Sequence, residues 1–230
     1  MAKSVVFFET NFQIQVHYSI AVLDSNDWVK IARIPYGLPF ESGPPFVVCI
    51  PASSENILAD TIKDAIVGRA LGEKFSMTDE GIVNLFVSLI GFHELGHIYA
   101  RTYGIKFPNK WTSEFGATYF AYAYLEENCP KESEIWRDVS RVLANKIKPD
   151  RTSLLDFEKL YVRVGVQNYA WYQVVFLLRV SEVYQDLGID FLKTLKRKNR
   201  PLTSESYSVN QLEAINPGFV EWAQKYRLLD

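Results

Sequence analysis

Residues 78–103 constrain the fold more than any other stretch of the chain. Thr78, Asp79 and Glu80 make a helix-start signal, and the pattern after them predicts one long helix to about Tyr103. Ile82, Phe86, Ile90, His93 and His97 follow each other in steps of four, four, three and four, so they share one helical face. That stripe starts apolar and ends in two imidazoles. The histidines therefore extend a core-facing surface and lie inside the protein, at the mouth of a cleft if the site is catalytic. The run 82–98 comes nearest to a membrane span, but Asn84, His93, Glu94 and His97 interrupt it. No membrane partner is expected.

The sequence on either side of this helix divides in character and predicts an α+β fold. The first fifty residues read as a mostly antiparallel sheet of about four strands. In residues 12–20, Phe12, Ile14, Val16, Tyr18 and Ile20 alternate with Gln13, Gln15, His17 and Ser19. Residues 4–10 and 28–34 read as neighbouring strands, with Ser25, Asn26 and Asp27 as a turn. Residues 46–50 read as an edge strand, flanked by Pro44 and Pro45 on one side and Pro51 on the other. The remainder reads as helices: from Ser53 or Ser54 to about Leu71, from Thr112 or Ser113 to about Glu127, and near 131–147, 167–187 and 189–198. No repeat, low-complexity tract or linker divides the chain. One domain over residues 1–230 is expected, with a β-rich lobe (about 1–52) and a helical remainder (about 53–230) around one cleft.

Bulk properties narrow the partners. A formal net charge of −2 gives no global field for nucleic acid. Lys193, Lys196, Arg197, Lys198 and Arg200 read as a basic helix end, which the helix dipole favours, and no aromatics interleave with them. No nucleic-acid partner is expected. Cys49 and Cys129 read as free thiols. The short apolar start is broken by Glu9 too early for a signal peptide, so a cytoplasmic location is expected. Oligomeric state is not readable.

His93 and His97 project one turn apart from the same face, within reach of one tetrahedral zinc. Glu94, beside the first histidine, can reach a water on that zinc instead of the metal. His93-Glu94-Leu95-Gly96-His97 thus supplies two ligands and one general base. A third ligand is required. Ala100 and Tyr103 stand where the metzincin pattern needs Gly and His, and His17 falls on the polar face of its expected strand. A carboxylate remains. Glu114 opens the next helix, and Ala117, Thr118 and Ala121 share its face; Gly96 and Ala100 form a matching strip of small residues on the first helix. Two such strips allow close packing that would bring Glu114 to the metal. Glu126 and Glu127 are the reserve candidates.

These residues resemble the gluzincins, zinc peptidases with two His from His-Glu-x-x-His and a Glu from the following helix. The likeness is closest to the catalytic domain of the aminopeptidase-type members and their small single-domain relatives. It is carried by His93-Glu94-Leu95-Gly96-His97 and then Trp111-Thr112-Ser113-Glu114-Phe115-Gly116-Ala117-Thr118-Tyr119, against the family's Trp-x-x-Glu-Gly-x-Ala-x-Tyr. The spacer is about two residues shorter here, and Phe115-Gly116 reverses the family's Gly-Phe order. The resemblance covers roughly residues 46–198. It implies a zincin-like fold, a zinc ligand at Glu114, and an oxyanion-binding phenol at Tyr172, with Tyr169 as the alternative. The family's Gly-x-Met-Glu-Asn segment for a free amino terminus is absent, which favours an endopeptidase.

The expected function is zinc-dependent hydrolysis of peptide or protein substrates, with His93, His97 and Glu114 as ligands. Zinc would activate water, Glu94 would act as general base and Tyr172 would support the developing charge. Residues 46–50 would pair with an extended substrate. The rival is a catalytically silent or single-partner metal-binding or regulatory protein that keeps the zincin frame.

Overall fold

The computed structural model describes residues 2–53, 56–107, 109–198 and 205–229. The apolar start of the chain forms a helix, α1 (Ala2–Phe12), in place of the first expected strand. Ser4, Phe8 and Phe12 are buried at steps of four, and the two rings pack on Tyr99 and Tyr103. A short apolar run satisfies either period; here the aromatic surface waiting for it selects the helix. The alternation after it is real as far as His17: Phe12, Ile14 and Val16 are buried, and Gln13, Gln15 and His17 are exposed. Strand pairing nevertheless begins only at β1 (Tyr18–Leu23), where Ile20 is 43% exposed.

Residues 28–34 also depart from the expected strand. Asp24 accepts the Asp27 backbone N–H at 2.8 Å and caps α2 (Ser25–Ile31), so the expected turn residues become a helix start. β2 (Phe40–Ser42) and β3 (Phe46–Pro51) complete a three-stranded sheet in the order β1-β3-β2. β1 runs parallel to β3, with Tyr18 opposite Phe46, and β2 runs antiparallel, with Phe40 opposite Cys49. The sheet is therefore mixed, has three strands, and holds β3 at its centre. The prolines allow this because they flank the ladder: Pro44 and Pro45 precede β3, and Pro51 is its last residue. The first 52 residues thus mix helix and strand and do not form a β-rich lobe.

The helical remainder follows the expected order with shifted bounds. Asn56 caps α3 (Ile57–Ile66), accepting the backbone N–H groups of Leu58 and Ala59, and a short α4 (Leu71–Phe75) follows. Of the two serines expected to cap this helix, Ser53 precedes the cap and Ser54 lies outside the described residues. Thr78 caps α5 (Asp79–Tyr103) as expected, and Gly104 ends it in the left-handed conformation (φ 82°) that glycine adopts without strain. Next come α6 (Lys110–Asn128), α7 (Pro130–Lys146), α8 (Leu154–Leu160), a 3-10 turn (Tyr161–Val164) and α9 (Val166–Leu187). α10 (Asp190–Lys198), α11 (Glu205–Glu213) and α12 (Phe219–Lys225) close the chain.

α5 is the central element. α6 packs along it, α9 lies on α6 and α7, and α3 bridges α5 and α7; β2 and β3 also rest on α5. Buried side chains from Phe8 to Leu228 form one contiguous cluster. Among the described residues, α5 is the one helix long and apolar enough to cross a membrane, with a mean hydropathy of 1.3, but 56% of that stretch is buried in the protein. Its place at the centre of the helices accounts for its composition. Cys49 and Cys129 are free thiols.

Candidate metal centre

The close packing of α5 and α6 builds the centre. Gly96 of α5 lies against the backbone of Ala117 of α6, with no room for a side chain between them. The strips of small residues therefore meet, and the approach carries Glu114 to the histidine face. His93 Nε2 lies 3.1 Å from Glu114 Oε2, and His97 Nε2 lies 3.6 Å from Glu114 Oε1. Each imidazole thus faces one oxygen of a single carboxylate. The imidazole rings stand edge to face, 4.9 Å apart. Ligand atoms of His93, Glu94 and His97 lie within 4.8 Å of one another, a group that could hold a metal ion.

Glu114 is only 1% exposed, and a carboxylate so far from water needs strong partners. Three donors serve it besides the imidazoles. Tyr161 Oη donates to Oε1 at 2.5 Å, Gln173 Nε2 to Oε2 at 2.7 Å, and Tyr169 Oη to Oε2 at 3.2 Å. Burial alone would raise its pKa, but the charge on His97 and the approach of both imidazoles hold it well below the usual carboxylate range. Its two oxygens are thus kept anionic and aimed at the histidines.

His93 is oriented from behind. Its Nδ1 lies 3.0 Å from Thr118 Oγ1, one turn after Glu114 on α6. A proton on Nδ1, donated to Thr118, leaves the Nε2 lone pair free for a metal. Burial lowers the pKa of His93, against the pull of Glu114, and favours a neutral ring, whose proton can sit on Nδ1 when a metal takes Nε2. His97 differs: burial opposes its charge, but Glu114 and then Glu94 lift its pKa to about 9. Burial pushes Glu94 up to about 8, against the pull of His97. The backbone N–H of Glu41, on β2, also acts on the Glu94 carboxylate. β2 is tied there by an ion pair between Glu41 and Arg101, 2.6 Å long.

Glu94 and His93 face a cavity of about 190 Å³ lined mainly by α3, α5, α7, α9 and residues 34–39, and open to solvent beside the exposed Val162 and Val166. Tyr169 and Gln173 line the same end, whereas Tyr161 is not among the lining residues.

His93, Glu94, His97 and Glu114 stand together. The reserve carboxylates point elsewhere: Glu126 accepts from Ser133, and Glu127 accepts from Tyr184 at 2.6 Å. His17 is exposed. Tyr172 is not among the residues brought together here. Its hydroxyl donates to the Ser153 carbonyl at 2.7 Å, and its fully buried ring packs on Phe157 and Phe176. The phenols at the centre are Tyr169 and Tyr161. Tyr169 and Gln173, four residues apart on α9, share a polar step that the periodicity could have revealed. Tyr161 offered no such signal. It opens the 3-10 turn with φ 52° and ψ −124°, outside the regions that non-glycine residues favour. Comparison of the chain with protein families, with curated proteins and with solved structures gives no match.

Proposed function

We propose that this chain is a zinc-dependent endopeptidase with a zincin-like centre. The observation that carries the reading is the convergence of both Nε2 atoms on the two oxygens of Glu114, with Glu94 beside them at the end of a cavity. Two imidazoles and a carboxylate are a donor set that suits zinc. With bonds of about 2.0–2.1 Å, tetrahedral ligand atoms lie about 3.3 Å apart. The separations of 3.1 and 3.6 Å bracket that edge.

A zinc ion at these ligands would supply Lewis acidity and a readily deprotonated water. The protein's own groups account for the rest. Glu94 is next to a ligand and outside the hydrogen bonds to Glu114; burial holds its pKa at about 8, which a dication beside it would lower, so that its carboxylate could take a proton from the attacking water and return it to the leaving amine. Tyr169 is the phenol that both reaches the centre and lines the cavity. Its 3.2 Å bond to Glu114 is the longest of the three, so its hydroxyl is the one most easily redirected to a developing oxyanion. Tyr161 and Gln173 hold Glu114. β3 is unavailable to a substrate strand because both its edges are paired. β2, which pairs with β3 alone among the described residues and sits beside Glu94, is the edge for an extended peptide.

Metal analysis and turnover on a peptide library test the reading. Wild type should carry one zinc per chain, and His97→Ala should lose it. Glu94→Gln should keep the zinc while hydrolysis falls by about 10²–10⁴. Equal metal contents of wild type and His97→Ala, or undiminished turnover in zinc-loaded Glu94→Gln, would refute it. A zinc-loaded wild type that cleaves no peptide would point to a regulatory metal-binding protein.

A further inference from the structure

The helical stripe that carries the histidines does not end with them. Arg101 follows His97 by four residues on α5, as His97 follows His93, so the three side chains share one face. They are 8, 15 and 50% exposed in that order, so the stripe climbs from the core to the surface. An exposed arginine is usually solvated and mobile, but this one is held at two points. Its Nη2 donates to Glu41 Oε2 at 2.6 Å, and its guanidinium carbon lies 5.5 Å from the centre of the Phe46 ring. Among the described residues, no further group takes its remaining N–H donors. Glu41 links this guanidinium to the candidate chemistry. Its carboxylate holds Arg101, and its backbone N–H acts on the Glu94 carboxylate. The general base and the guanidinium are thus one residue of β2 apart. An ion pair half open to water contributes little to stability, so fastening β2 does not account for Arg101.

We infer that Arg101 is a specificity-determining residue of the site and binds an aspartyl or glutamyl side chain of a peptide lying along β2. Its place near a scissile bond rests on the peptidase reading; its affinity for a carboxylate does not. The distance agrees. Four residues of α5 carry Arg101 about 6 Å beyond His97, and an extended chain covers that in about two residues, at roughly 3.3 Å each. Access sets the sign of the preference. Glu41 stands opposite Val48 in the ladder, so its side chain lies on the face of the sheet where Val48 is fully buried. It is only 16% exposed and already accepts from Arg101, whereas Arg101 is half exposed. A cationic side chain arriving there meets the guanidinium first and is repelled. A carboxylate meets free N–H donors on a guanidinium already oriented, so binding costs little rotamer freedom.

The probes are end-blocked octapeptides with a neutral fluorescent label, uncharged except for one Asp, or its neutral isostere Asn, set at each position in turn. Anisotropy is read on the zinc-loaded full chain carrying Glu94→Gln, which should bind without cleaving, and again on zinc-free wild type, which serves if Glu94→Gln does not fold. At one or two positions Asp should bind about 5-fold tighter than Asn, the gain of one partly exposed charge pair. The gap should close at about 0.5 M salt. Two further substitutions separate recognition from fastening. Arg101→Gln should abolish the preference for Asp, and Glu41→Gln, which releases the guanidinium, should raise it. A pair that only fastens β2 is broken alike by both, so parallel effects overturn the proposal. Equal affinities for Asp and Asn at every position overturn it too, as does the absence of binding by either. A gain seen only when the blocked C-terminus is freed makes the chain end the carboxylate bound, and overturns the side-chain assignment. If wild type cleaves the peptides with no preference for Asp, the role of Arg101 fails and the peptidase reading stands. If Asp peptides bind through Arg101 and wild type cleaves none, the peptidase reading fails and the role of Arg101 in binding stands.

Discussion

Replacing Gly96 by alanine tests whether the contact between α5 and α6 makes the metal centre. A β-carbon at Gly96 would lie 2.8 Å from the Ala117 carbonyl carbon and 3.0 Å from its Cα, and closer still to its oxygen. Ordinary carbon–carbon contacts sit at about 3.5–4.0 Å. The obstacle is helix backbone, which cannot swing aside as a side chain can, so α6 must retreat by about 1 Å. Such overpacking costs about 1–3 kcal/mol. Alanine's better helix propensity offsets about 1 kcal/mol of it. The net loss expected is about 0–2 kcal/mol in urea unfolding of the metal-free protein. The site should suffer more than the fold. Ala117 follows Glu114 by three residues and precedes Thr118, so the retreat draws both away from His93. Zinc affinity, measured by chelator competition, should fall by about 10–100-fold, as when a group supporting a ligand is lost. A Gly96→Ala protein with unchanged stability and unchanged zinc affinity would refute the claim that this contact positions Glu114.

Three further outcomes follow from the hydrogen bonds of Thr118, Tyr172 and Tyr169. Thr118→Val keeps the shape but strips His93 Nδ1 of its 3.0 Å partner, so zinc affinity should drop about 10-fold while the fold survives; an unchanged affinity would mean that Thr118 does not orient the ring. Tyr172→Phe should cost about 1 kcal/mol of stability, through the lost bond to Ser153, and leave turnover intact. Tyr169→Phe should keep zinc and substrate affinity and lose about 10²–10³ in turnover; the opposite pattern in these two variants would return the oxyanion role to Tyr172.

The placing of the two candidate histidine ligands was legible because their geometry is local. Four residues on a helix place His93 and His97 on one face whatever surrounds them, and the stripe from Ile82 says that the face is buried. Glu114 was legible for a different reason: Gly96 and Ala117 are small because two backbones meet there. Tyr172 was not, since the direction of a phenol depends on its neighbours. Ser153, the cap of α8, claims that hydroxyl, while Tyr169, three residues earlier, faces Glu114. The first fifty residues were misread where the signal is weakest. Runs of four to eight apolar residues fit strand or buried helix equally, and what selects the helix for α1 is the distant surface of Tyr99 and Tyr103. The central position of β3 depends on two partners, β1 and β2, that both precede it in sequence and pair with its opposite edges, which flanking prolines cannot report.

Three departures from what stability alone favours converge on one place. Two histidines and Glu114 occupy positions on α5 and α6 where apolar side chains of similar size would pack without a desolvation cost. Tyr161 holds a left-handed backbone so that its hydroxyl can reach Glu114. Ser140 keeps an unpaired hydroxyl in a wall of hydrocarbon. Each alone has a local explanation: a polar network fully satisfied, a tight turn after a helix, a small residue at a crowded surface. Together they are harder to dismiss, because the elements bearing them are far apart in sequence, and the Glu114 cluster that Tyr161 joins adjoins the cavity that His93 and Glu94 face. A fold whose local choices otherwise agree with one another concentrates its exceptions where it handles a ligand. On that ground we read the centre and the cavity as one site, with the candidate ligands at the end that Glu94 and His93 face.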